Sequence, residues 1–229
     1  YNTPLVTWAD ETDHHCFAYT GDVDNLIGRV NSVVEQHNPD YVIYICGDCP
    51  LIDPTLISQG LEVLKLAPRH ESAEVKPDNK GRKTIHEGIH IYSRKGWEKL
   101  VQYSDTALFK EHIGLAASEK KLLSVAYFPL DEKFYTVSQR ISVDTAADWR
   151  FMNQLYEEWY KEHDDVLSID WALKQFKSNT NLIHLNQHVT QKSGLKKYGK
   201  ICLVTEAGPN KGLGQLTRSI ELAERFCEL

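Results

Sequence analysis

No apolar run in this sequence approaches the ~20 residues needed to cross a bilayer. There is no excess of positive charge either: 26 lysines and arginines face 32 aspartates and glutamates, a formal net charge of −6. That balance argues against nucleic-acid binding, which depends on cations neutralising phosphate. Cysteine is sparse and unpaired in pattern, with five residues at 16, 46, 49, 202 and 227. An odd, scattered set is not a disulfide framework, so a reducing compartment, the cytoplasm, is the expectation. The sequence has no Gly-x-Ser-x-Gly elbow, no Walker loop, no internal repeat and no low-complexity segment. What it does have is 229 residues, 41% hydrophobic and 10% aromatic, enough to bury a core without crosslinks. It opens at Tyr1 rather than Met, so a fragment is expected, and the missing targeting signal carries little weight.

The first half alternates short apolar runs with helical spacing. Residues 4–8 (PLVTW) and 16–19 (CFAY) read as short strands. Over 22–37, Val23, Leu26, Ile27, Val30, Val33 and Val34 share one helical face, with Asp22 or Asp24 as cap and Asn38-Pro39-Asp40 as stop. Residues 41–46 (YVIYIC) are apolar throughout, as a strand buried on both faces of a parallel sheet requires. Asp53-Pro54 then starts another helix, with Leu56, Ile57, Leu61 and Leu64 as its stripe. Strand and helix in alternation predict an α/β fold.

Residues 66–85 are a long polar excursion, of a kind that is often functional. Residues 85–93, 123–128 and 140–143 read as strands, with Ser93 capping a helix around Trp97, Leu100 and Val101. Helices follow over 145–162, with Trp149, Met152, Leu155, Tyr156 and Trp159 on one side, and over 168–177. Residues 186–198 turn polar and basic and read as a linker, after which 199–229 begin a new strand–loop–helix unit too small to bury a core alone.

The strongest local feature is GDCPLID at 47–53. Asp48 lies just past a predicted buried strand, where ligands of open α/β sheets bind, and a carboxylate there can hold a divalent cation against phosphate. Gly47-Asp48 as a plain turn is an equal alternative, and Asp53 is better read as a helix cap. Asp144 repeats the placement after the predicted strand 140–143, and VDTAAD also suits a cap. Cys46-x-x-Cys49 has redox and half-zinc spacing, with His86-x-x-x-His90 as a conceivable complement, but a core role for Cys46 is the better account. His14-His15 reads as a solvated loop. Gly208-x-x-x-Gly212-x-Gly214 between strand and helix suits a nucleotide or merely a tight turn.

GDCPLID, with GDVDNLIGRV before it and HEGIHIYS, EHIGLA and ISVDTAADW after it, resembles the cytidylyltransferases of the spore-coat-polysaccharide type, relatives of the acylneuraminate and KDO cytidylyltransferases. The similarity runs in order over residues 4–160. It implies a nucleotide-diphosphosugar transferase fold, Rossmann-like with a mostly parallel sheet, and formation of a CMP-sugar and pyrophosphate from CTP with Mg²⁺. It also implies Asp48 and Asp144 as the metal-binding and catalytic acids, from the family's GDxP and VDTPED motifs, with Ala146 in place of the usual proline. Glu87-Gly88 and Glu111-His112 match family pairs on the sugar side, and 66–92 would shape that site. One departure is serious: residues 1–20 contain no Gly, Arg or Lys, so the family's first strand and its Gly/Arg/Lys phosphate loop have no match. Residues 4–8 take the place of the family's second strand.

The tail, GPNKGLGQLTRSIELAERF, is similar to the start of the UDP-sugar hydrolases of pseudaminic-acid synthesis, related to GT-B glycosyltransferases. That resemblance implies nucleotide binding by Gly212, Gly214 and Arg218, with Gln215 where the family has histidine. The organisation expected is then a cytidylyltransferase-like domain over 1–165, a helical extension over 166–185, the linker, and the start of a second domain over 199–229. The expected partners are CTP and an acidic or amino sugar such as a nonulosonic acid, with no nucleic acid and no membrane, and with room for a homodimer. A sugar-nucleotide-binding module without catalysis, or a GT-A-like glycosyltransferase using Asp22-x-Asp24, are the rival readings.

Overall fold

The computed structural model describes residues 3–78, 80, 82, 84–85, 88–135, 140–189, 203 and 217–223. The chain divides into two compact units that interleave along the sequence. The first gathers Tyr1–Tyr44, Pro54–Lys76 and Ile89–Pro129, and the second Ile45–Asp53, Pro77–Gly88 and Leu130–Leu229.

In the first unit, α1 (Thr3–Glu11) is a helix where a strand is expected over 4–8. Leu5, Trp8 and Ala9 stand at helical spacing, Pro4 sits in the first turn where its missing N–H costs nothing, and only Ala9 is buried. So short an apolar run fits either element, and residues 16–19 form neither. The correspondence of 4–8 with the family's second strand falls with this. Helix α2 (Leu26–His37) starts later than expected, because Asn25, not Asp22 or Asp24, caps it by accepting from the Gly28 N–H at 2.9 Å. It ends at Asn38 in the left-handed region (φ 43°), just before Pro39.

Strand β1 (Tyr41–Ile45) lies at the edge of a four-stranded sheet and is not buried on both faces: Ile43 and Ile45, on one face, are 37% and 45% exposed, while Val42 on the other is buried. Helix α3 (Pro54–Leu66) has Pro54 at its first position as expected. Strand β2 (Ser72–Val75) falls inside the predicted polar excursion, yet it is an interior strand. It pairs antiparallel with β3 (Ile89–Ser93) and parallel with β4 (Val125–Phe128), in the order β1-β3-β2-β4. Helix α3 crosses β2, β3 and β4, and its Gly60 has no room for a side chain against Ile91 and Phe128.

Between β3 and β4 run α4 (Arg94–Tyr103), α5 (Ala107–Glu111) and α6 (Leu115–Lys120). Ser93 caps α4 as its sequence predicts, accepting from the Gly96 N–H at 3.2 Å. The core of this unit joins Ile27 and Val34 of α2 to Val42, Tyr92, Trp97, Leu100, Ile113 and Ala116.

The second unit is built on α7 (Ala146–Tyr160), α8 (Ile169–Ser178) and α9 (Thr180–Ile183). Its core packs Leu51, Ile85 and Ile141 against Phe151, Met152, Leu155 and Trp159 of α7 and Ala172, Leu173 and Leu182 beyond it. The helices expected as an extension therefore share one core with α7. The buried stripe of α7 runs through Ala147, Phe151, Leu155 and Trp159, so Trp149, expected on the apolar side, is exposed. Residues 217–223 are helical. Among the described residues no helix is long and apolar enough to cross a membrane.

Candidate functional site

Both acids singled out by the sequence belong to the second unit. Asp48 sits in a turn closed by the Cys49 N–H donating to the Cys46 carbonyl at 3.2 Å. The Cys46 N–H in turn donates to the Gly88 carbonyl at 2.8 Å. Gly88 has φ 75°, and a Cβ there would lie 2.6 Å from Cys49 Sγ and 2.9 Å from Cys46 Cβ. Glycine is thus required both by conformation and by close approach of the turn. Cys49 is buried and its thiol lies 3.6 Å from Asp48 Oδ1. A hydrogen bond with Cys46, burial and the neighbouring Asp48 charge all push that thiol's pKa upward and favour its protonated form. The core role expected of Cys46 falls instead to Cys49, since Cys46 is half-buried and Cys49 buried. His86 lies outside the described residues.

The turn at Asp48 is tied to the Asp144 segment. The Val143 N–H donates to the Asp48 carbonyl at 2.8 Å. Residues 140–143, expected as a strand, form none, because the segment facing them is a turn and offers this one bond instead of a ladder. Asp144 is not the cap of α7. Thr145 is, accepting from the Asp148 N–H at 3.2 Å while Asp148 reaches back to the Thr145 N–H at 3.1 Å, a capping box. That leaves the Asp144 carboxylate, 48% exposed, to pair with Arg140 and to accept from Ser142 Oγ at 3.2 Å.

Asp148 is the fixed point of this segment. It is 1% exposed, and its Oδ2 accepts from Arg140 Nε at 2.9 Å, from Thr145 and from the Asp144 N–H at 3.3 Å. Its Oδ1 accepts from Asn186 Nδ2 at 2.9 Å. Burial would raise the pKa of this carboxyl, but the Asn186 and Arg140 hydrogen bonds and the Arg140 charge outweigh it and hold it below the usual carboxylate value. Arg140, Asp148 and Asn186 are absent from the residues expected of the site. Thr-x-x-Asp at 145–148 is a readable capping signal, whereas nothing local marks Asn186.

The loop before Gly88 is pinned by charge. Arg82 donates to Asp78 from its guanidinium at 2.8 and 3.0 Å and from its backbone N–H at 2.9 Å, pairs with Glu132 at 2.8 Å and lies over the Tyr135 ring. Chiefly the Arg82 hydrogen bond holds the Asp78 carboxyl well below its ordinary pKa. Glu87 lies outside the described residues, as do Gly212 and Gly214. Arg218 is exposed on the 217–223 helix. Glu111 and His112 belong to the first unit, at the end of α5, both exposed. Asp22 and Asp24, also there, form a turn in which Asp22 Oδ1 accepts from the Asp24 N–H at 3.1 Å.

Asp48 and Asp144 offer hard oxygen donors on two loops joined by a backbone bond. Among the described residues no three histidines, cysteines or acids gather as a self-sufficient metal site. Carboxylate oxygens are the donors that Mg²⁺ takes, and it is seldom caged by protein alone.

No protein-family model matches the chain, and no curated protein matches it. A solved structure does. It is that of a cytidylyltransferase from Leptospira borgpetersenii serovar Hardjo-bovis (strain JB197), with a TM-score of 0.66 at 20% identity, covering 80% of this chain and 74% of that one. The likeness establishes the fold: an α/β architecture of the nucleotide-sugar transferase kind, as the sequence resemblance implies.

Proposed function

We propose that the chain is a Mg²⁺-dependent cytidylyltransferase module that activates a surface-glycan sugar, a nonulosonic acid or a similar acidic or amino sugar, as its CMP derivative. The observation that carries this reading is the hydrogen bond from Val143 to Asp48, which brings together the two acid-bearing loops of a fold shared with a cytidylyltransferase. A sugar hydroxyl attacks the α-phosphorus of CTP and forms a new P–O bond, the bond from that phosphorus to the bridging oxygen breaks, pyrophosphate leaves with that oxygen, and the hydroxyl proton passes to solvent. Asp48 and Asp144 would hold Mg²⁺, which would neutralise charge on the phosphates. The protein's share is positioning. Arg140 and Ser142 orient the Asp144 carboxylate, and the 46–49 turn, packed on Gly88, orients Asp48. Glu87, Gly88, Glu111 and His112 are proposed for the sugar side and Gly212, Gly214 and Arg218 for a second nucleotide site. The cytoplasmic setting remains part of the proposal.

Calorimetric titration with CTP tests it. Binding is expected to depend on Mg²⁺ and to weaken about tenfold or more in Asp48→Asn and in Asp144→Asn. Equal affinity with the metal chelated, or in both variants, would overturn the reading.

A further inference from the structure

Asn186 opens the polar stretch that reads as a linker, yet it is 0% exposed. Its side-chain amide donates twice, to Asp148 Oδ1 at 2.9 Å and to the Arg140 carbonyl at 3.0 Å. These partners flank Asp144 on either side in sequence. Asp148 holds the Asp144 and Thr145 N–H groups through its other oxygen, and the Arg140 side chain, 13% exposed, spans the Asp144 and Asp148 carboxylates. One buried amide therefore fixes the backbone of residue 140 and the carboxylate of residue 148. Between them those two set the position of the segment that carries Asp144.

Asn186 is held in turn by the end of the helical segment. The Asn179 carboxamide caps α9 by accepting from the Leu182 N–H at 3.1 Å, and the Val189 N–H donates to the Asn186 carbonyl at 3.0 Å. Leu182, four residues before Asn186, is buried in the same core as α7. Residues 180–189 thus reach the Asp144 loop by two specific hydrogen bonds, not only by apolar packing.

We infer that Asn186 is a positioning residue for the divalent-cation site: through Asp148 and Arg140 it sets the orientation of the Asp144 carboxylate. This rests on the proposed role of Asp48 and Asp144 as ligands. A polar group that orients a ligating carboxylate acts on metal affinity, and its loss typically costs about 10–100-fold. A buried amide that merely satisfied Asp148 would affect stability and leave affinity alone.

The experiment is a Mn²⁺ titration of the 229-residue chain followed by electron paramagnetic resonance, with melting temperature measured on the same samples. Asn186→Ala is expected to weaken Mn²⁺ binding about tenfold or more. Asn186→Ser, which keeps a short donor, is expected to recover part of that loss. Leu182→Ala is the stability control, since it removes buried apolar volume from the same segment without touching Asp148. It should lower the melting temperature while leaving Mn²⁺ affinity within about twofold, inside the range of a site that is undisturbed. Mn²⁺ affinity within twofold of the parent in Asn186→Ala overturns the inference, as does an equal loss in Leu182→Ala. Should Asn186→Ala not fold, Asn186→Leu, which fills the same volume without a donor, decides by the same criterion. Asp48→Asn and Asp144→Asn separate the two levels. If neither weakens Mn²⁺ binding, the cation site itself is wrong and the inference goes with it. If both do and the Asn186 variants do not, only the inference fails.

Discussion

The Val143 N–H donates to the Asp48 carbonyl at 2.8 Å, so the residue before one candidate acid is bonded to the main chain of the other. The bond uses backbone atoms only, and a side-chain substitution at either acid leaves it in place. Asp48→Asn and Asp144→Asn therefore leave the backbone bond between the loops available, while Asp144→Asn also removes the ion pair with Arg140.

The turn that carries Asp48 depends on Gly88. Alanine there would adopt φ 75° and place its methyl 2.6 Å from Cys49 Sγ, in a turn already closed by two backbone hydrogen bonds. Gly88→Ala is expected to destabilise the protein by about 1–3 kcal/mol in urea unfolding. Gly47→Ala is the comparison, since a methyl there meets nothing within 4 Å and should change stability by no more than about 0.5 kcal/mol. Similar losses in the two variants would show that the packing against Gly88 has been misjudged.

How much of this was readable beforehand differs by element. Helices with a start signal or a stripe were legible: Ser93 with Trp97 and Leu100, the helix expected over 168–177, and Pro54 at the start of α3. Strand β2 was not. Its sequence, SAEV, has one large apolar residue, and its place inside the sheet comes from pairing with β3 and β4, which no local pattern encodes. Asp48 and Asp144 stood out through their motifs. Asn186 did not, because its meaning comes from an aspartate 38 residues away along the chain. Its neighbours Gln187 and His188 make the stretch look solvated. Hydrogen bonds of that span are a property of the fold.

Trp97 offers a test of the first unit's core. It is fully buried, and its indole N–H donates to Asn31 Oδ1 on α2 at 2.9 Å, so one side chain contributes both apolar area and a polar link between α4 and α2. Trp97→Phe keeps most of the area and loses the bond. A double-mutant cycle with Asn31→Ala should return a coupling of about 1 kcal/mol. A coupling near zero would mean that Asn31 is served as well by water.

Acid stability tests Asp148. In the fold its carboxyl lies below the ordinary value, since the hydrogen bonds from Asn186 and Arg140 outweigh burial. In the unfolded chain it takes about 3.9. As pH falls, the unfolded state therefore takes up this proton first. The stabilisation is complete well above pH 3.9 and is lost as pH drops toward and through the lower folded value. Asp148→Asn removes that titration, and it also weakens the pairing with Arg140, so the variant should be less stable at neutral pH by about 3–5 kcal/mol, the usual result of breaking a buried pair. The gap between parent and variant should then narrow as pH falls from about 5 to 3. Urea midpoints across that range measure it. Glu71 also has a lowered pKa, because the Lys99 and Ser124 bonds outweigh burial, and it is unaltered in the variant, so it contributes to both curves and cancels in the difference. Parallel curves, with a constant gap down to pH 3, would mean that the fold leaves the Asp148 carboxyl at its ordinary value, and a gap that widens as pH falls would mean that the capping box and the Asn186 bond are made to a neutral carboxyl.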